Sequence, residues 1–173
     1  MIAYSEIEEI YEGLEEGLDV SIYAKEYFNW AQMKQIREGL KKNLNVSIYA
    51  KKYFNEDQMW QIFRGLKEGL DVSIYAKTEY EWEQMEEIRE GLENNLNVSI
   101  YANSNFDFLQ MTEIRLGLED YLDVSIYAKP EYTWEQMRQI RLGLMNNLDV
   151  SIYAKSTFSS FKMKKIREQL ENE

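Results

Sequence analysis

Two residue types are missing from the chain altogether, and each absence removes a block of chemistry. There is no cysteine, which excludes disulfides, thiolate metal sites and cysteine nucleophiles and fits a reducing compartment. There is no histidine, which removes the commonest general base, pH switch and metal ligand. Long apolar runs are missing too: none approaches the ~20 residues that cross a bilayer, so no membrane partner is expected. Positive charge is in short supply. Twenty lysines and arginines stand against 31 carboxylates, a net charge of −11, which argues against direct binding of nucleic acid or an anionic membrane. The segment Met1–Asp19 is acidic and helical in pattern, unlike a secretory signal. These absences lead to the expectation of a soluble cytoplasmic protein without a cofactor.

What is present is repetition. The string VSIYA begins at Val20, Val46, Val72, Val98, Val124 and Val150, a step of 26 residues without insertion or deletion. Methionine keeps the step at Met33, Met59, Met85, Met111, Met137 and Met163. A Gly-Leu pair keeps it from Gly13-Leu14 to Gly143-Leu144, and Gln169-Leu170 closes the series. A fixed period of this length is the signature of a repeat array.

One unit encodes its own helix boundaries. Asn29 is a favourable N-cap with Gln32 three residues on, a capping box, and Phe28 and Met33 occupy the flanking staple positions. The same grammar returns at Asn55…Gln58, Asp107…Gln110 and Thr133…Gln136, with a weaker cap at Glu81. The spacing predicts a helix from about Trp30 to Lys42, with Trp30, Met33 and Leu40 on one face. Its stop is written at positions 17, 43, 69, 95, 121 and 147, which hold glycine or asparagine except for Tyr121. Asp or Asn two residues later reads as a second N-cap. It opens VSIYA, either as a short helix placing valine, tyrosine and alanine together, or as a strand in a leucine-rich-repeat-like α/β solenoid. The helix is preferred, because a cap precedes it and Pro130 follows at helix-stop distance. The expected fold is therefore an all-α solenoid of six and a half long-helix/short-helix repeats. It forms a single array over residues 1–173, with capping helices at 1–18 and 157–173.

The phrase GL-x3-LDVS-x-YA-x-PEY-x-WEQM-x-x-IR-x-GL, running from Gly117 to Leu144, resembles a short repeat of uncharacterised proteins from Firmicutes, their phages and mobile elements. The resemblance covers nearly the whole chain. It implies a bacterial host cell or phage setting and carries no activity or site residues. The chain also resembles a designed or recently duplicated array.

Invariant positions of a repeat build the scaffold, so specific function is expected where the copies differ. The mid-helix glycines read as sites of close approach beneath the VSIYA tyrosines. The arginine ladder (Arg37, Arg89, Arg115, Arg141, Arg167) reads as a structural bond to a helix C-terminus or cap carboxylate. Against this background Trp60 stands where sister repeats carry Lys34, Glu86 and Arg138, and Phe63 replaces the ladder arginine. Leu116 and Leu142 align with Glu38 and Glu90, Met145 aligns with Lys41, and Tyr121 takes a glycine or asparagine position. These six form the candidate partner-binding surface. A second candidate is acidic: Glu79, Glu83, Glu86, Glu87, Glu90 and Glu93. No nucleotide, EF-hand or catalytic fingerprint appears, so no enzyme activity, metal or cofactor is expected. The leading expectation is a protein-binding scaffold. The alternatives are an anti-defence inhibitor that decoys a basic nucleic-acid-binding or defence protein, and a structural, self-associating array.

Overall fold

Helix starts fall where the capping residues stand. Asn29 Oδ1 accepts from the Gln32 N–H at 3.0 Å and Gln32 Oε1 accepts from the Asn29 N–H at 2.9 Å. The reciprocal box recurs at Asn55/Gln58, Asp107/Gln110 and Thr133/Gln136. At the weaker cap, the Glu81 N–H still donates to Gln84 Oε1 at 2.8 Å. In the computed structural model, which describes residues 4–172, these signals open five of seven α-helices, and Ser159 caps a sixth. The seven are α1 (Tyr4–Glu15), α2 (Trp30–Lys41), α3 (Glu56–Glu68), α4 (Trp82–Glu93), α5 (Phe108–Glu119), α6 (Trp134–Met145) and α7 (Ser160–Leu170).

The first six helices are each followed by a residue in the left-handed region. Gly17 and Gly69 have φ of 70° and 74°, and Asn43, Asn95, Tyr121 and Asn147 lie at 55–58°. The chain then reverses into one short 3₁₀ turn, at Val20–Ile22 in the first copy and at its equivalent in the next five. VSIYA is thus helical, and no strand occurs among the described residues. The helix is shorter than an α-helix because only three residues are wound. The Tyr23 N–H closes on the Val20 carbonyl at 3.1 Å, while Asp19 ties down Ser21 through both its N–H and its hydroxyl.

These turns dock the tyrosines. All six VSIYA tyrosines are fully buried, and Tyr23, Tyr49, Tyr75, Tyr127 and Tyr153 each donate to the carbonyl of the residue 14 positions earlier, as Tyr49 does to Gln35 at 2.9 Å. The ring crosses the helix at the invariant glycine. A Cβ on Gly117 would overlap the Tyr127 hydroxyl and lie 2.9 Å from Val124 Cγ1. The glycine is therefore required by close approach. Methionine, isoleucine and the staple phenylalanine or tyrosine fill the remaining core: Met59, Ile62 and Phe54 are all buried.

The fold class is an all-α solenoid of 26-residue repeats, described as two compact units. The first runs to Arg89 and packs α1 on α2 and α2 on α3; the second begins at Glu90 and packs α5 on α6 and α6 on α7. The outward stripe of α1 holds Tyr4, Ile7, Tyr11 and Leu14, all exposed.

Candidate partner-binding groove

Four of the five ladder arginines reach back to a side chain 28 residues earlier, in the middle of the preceding long helix. The Nε of Arg37 donates to Glu9 at 2.8 Å, that of Arg89 to Gln61 at 2.9 Å, that of Arg141 to Glu113 at 2.8 Å and that of Arg167 to Gln139 at 3.1 Å. The ladder is structural, as expected: its Nε meets a mid-helix side chain, and its Nη groups reach carboxylates at helix C-terminal ends, Glu16 after α1 at 2.9 Å, Asp120 after α5 at 3.7 Å and Glu171 after α7. The acceptors are Glu9, Gln61, Glu113 and Gln139, members of a Glu/Gln series that the sequence continues at Gln35 and Glu87. Arg89 is fully buried in this role, with the Glu86 and Glu68 carboxylates 3.8 and 4.0 Å from its guanidinium, and opposite charge this close offsets part of the cost of burying the cation.

One rung differs. Opposite Gln35 stands Phe63, and Gln35 Oε1 is buried with no hydrogen-bond partner, although its Nε2 donates to the Glu56 carbonyl at 3.0 Å. Such an orphaned acceptor costs about 1–3 kcal/mol. The substitution that orphans it also builds something. Phe63, 6% exposed, stacks on Trp60 one turn earlier, with centroids 5.6 Å apart and planes 21° from parallel. Trp60 is itself 45% exposed, and on α2 Trp30 is 50% exposed.

The result is a groove of about 490 Å³ between α2 and α3. The α3 wall is Trp60, Phe63 and Lys67; the α2 wall is Trp30, Lys34, Gln35, Glu38 and Lys42. Three lysines thus meet one glutamate, and the glutamate lies 3.7 Å from the Arg37 guanidinium. In a chain of net charge −11 the groove is a local cationic island with an aromatic floor.

The same place between α6 and α7 gives a comparison. A groove of about 480 Å³ is lined there by Trp134, Arg138, Gln139, Leu142, Phe161, Lys164 and Arg167. Its ladder bond is intact, Arg167 to Gln139, so the stacked aromatic pair is absent.

Of the six residues singled out from the sequence, Trp60 and Phe63 come together in the first unit. Leu142 lines the α6/α7 groove. Leu116 is half-buried on α5, which packs on α6. Met145 is exposed and its sulfur accepts from Arg141 Nη1 at 3.4 Å. Tyr121 is 97% exposed at φ 58°, beside Asn94, Leu96 and Glu119. The acidic set is spread differently. Glu79 and Glu93 are exposed, whereas Glu83, Glu86, Glu87 and Glu90 on α4 are half-buried. Glu86 lies 3.8 Å from Arg89, and Glu90 pairs with Arg115 at 3.0 Å.

Sequence reasoning missed Trp30, Gln35 and the three groove lysines. The available signal was indirect: losing an arginine at position 63 necessarily strands whatever that arginine would have met. Among the described residues no helix is long and apolar enough to cross a membrane. No family model, curated protein or solved structure matches the chain.

Proposed function

We propose that this chain is a non-enzymatic protein-binding scaffold that displays a variable surface on a regular helical repeat. The observation that carries the reading is the α2/α3 groove. There two neighbouring departures from the repeat, Trp60 and Phe63, stack on each other and open a partly exposed aromatic site, at the expense of a hydrogen bond that four other rungs retain. Aromatic anchors in pockets are the usual centres of binding energy. The repeat's resemblance to Firmicute and phage sequences suggests a partner inside a bacterial host cell. The acidic-decoy alternative draws less support, since Glu86 and Glu90 already lie against ladder arginines.

The test is quantitative capture from a Firmicute lysate by wild type and two folded variants. One is Trp60→Lys/Phe63→Arg, which installs the sister repeats' own residues. The other is Leu116→Glu/Leu142→Glu, which does the same in the second unit. A protein held by wild type and lost by either variant supports the scaffold reading. Equal capture by all three contradicts it.

A further inference from the structure

We infer that the groove between α2 and α3 takes an acidic segment of a partner protein, seated by one aromatic or aliphatic anchor. The inference rests on the protein-binding reading and adds the chemistry of the ligand.

Three observations converge. The floor is aromatic and partly dry: Phe63 is buried under Trp60, and Trp30 stands across from them half-exposed. A side chain of phenylalanine or leucine size entering there gains apolar contact on both walls. The rim is cationic. Lys34, Lys42 and Lys67 line the groove, and no ion pair engages any of the three among the described residues, whereas nearby Lys41 is held by Glu16. Against the negative field of the whole chain, only a ligand with its carboxylates localised on this rim is attracted.

Length then separates a segment of chain from a small aromatic anion. Lys34 and Lys42 are eight residues apart, about 12 Å along the helix axis, and Lys67 lies about 10 Å beyond Trp60 on α3. One carboxylate cannot meet charges so spread. Carboxylates distributed over about four extended residues, or over two helical turns, can. The orphaned Gln35 Oε1 supports a dedicated site. Arginine at position 63 would satisfy that atom as it does in the sister repeats, so the chain forgoes a structural bond where the groove is built.

The experiment titrates the full chain with a fluorescein-labelled, capped decapeptide of aspartate and glutamate bearing one central phenylalanine, followed by anisotropy. Wild type is expected to bind it. Trp60→Lys/Phe63→Arg is expected to weaken binding at least tenfold, and Lys34→Glu/Lys42→Glu/Lys67→Glu to do likewise. Replacing the peptide's phenylalanine with serine should also cost tenfold. Equal binding by wild type and the Trp60→Lys/Phe63→Arg variant, no binding up to millimolar peptide, or preference for a lysine-bearing peptide of the same pattern overturns the inference. So does a wild-type dimer in sedimentation that the Trp60→Lys/Phe63→Arg variant dissolves, because the occupant is then a second copy. If the peptide fails while Leu116→Glu/Leu142→Glu abolishes capture of a lysate protein, the scaffold reading stands and this inference falls.

Discussion

The tyrosine–glycine contact shows how one residue type fixes another. The Tyr127 hydroxyl bonds the Glu113 carbonyl at 3.1 Å across Gly117, so Gly117→Ala forces the ring out and loses that bond. Overpacking of this kind costs about 1–3 kcal/mol. The double variant Gly117→Ala/Tyr127→Phe removes the clashing oxygen and should regain part of the loss in chemical denaturation; no recovery would mean that the clash lies elsewhere. The same burial makes stability depend on high pH. Burial pushes the phenols of Tyr23 and Tyr153 up to about 12 and raises those of Tyr49, Tyr75 and Tyr127 as well. The folded state therefore holds these protons more tightly than the unfolded chain, whose phenols titrate near ~10. The contribution is complete below that value and is lost as pH rises through the folded-state pKa values, each phenol adding a slope of about 1.4 kcal/mol per pH unit. Phenolate absorbance of the buried set and loss of helical circular dichroism should appear together above pH ~10; phenolate forming well before the helices melt would refute the coupling. Tyr121 belongs to this scale too. A side chain that is 97% exposed at φ 58° gives up about 1 kcal/mol relative to glycine, so Tyr121→Gly should raise the unfolding midpoint by a few degrees.

At the scale of the element, the long helices were legible from the sequence because their boundaries rest on local chemistry. Asn29 and Gln32 cap one end, Asn43 at φ 55° turns the other, and no distant residue is needed to read either. VSIYA was harder. Valine, isoleucine and tyrosine favour strands; in the first copy the Asp19 cap favours the 3₁₀ turn and Tyr23 finds its pocket over Gly13. The arginine partners were not legible, since a bond spanning 28 residues depends on the angle at which successive helices meet. For the groove the sequence marked Trp60 and Phe63 as departures and was silent on Trp30, Gln35 and the lysines, which matter only once α2 lies against α3. One element-scale expectation follows. Phe63→Arg should fold with an unfolding midpoint within a few degrees of wild type, because regaining a partner for Gln35 and losing the buried ring stacked on Trp60 oppose each other at about 1–2 kcal/mol each. A collapse of helicity would show that the phenylalanine is a core residue first.

For the molecule as a whole, the period is the unit of tolerance. Contacts run between consecutive helices, and repeat arrays of this kind sum intrinsic and nearest-neighbour terms. Removing residues 134–159 deletes one period and brings Arg167 opposite Glu113, the pairing that Arg141 makes at 2.8 Å in the intact chain. That deletion should retain cooperative thermal unfolding, whereas removing 134–146 alone should abolish it in the second unit. The division of labour follows the same logic. Invariant positions hold the array, and the departures from them are free to recognise. Four tryptophans occur in the chain, two in the α2/α3 groove and two outside it, so the side-chain indole N–H signals in a ¹H–¹⁵N correlation spectrum read the location of binding directly. On titration with the acidic phenylalanine peptide, the Trp30 and Trp60 signals should move while Trp82 and Trp134 stay in place. Movement confined to Trp82 and Trp134, or none at saturating peptide, would contradict the account.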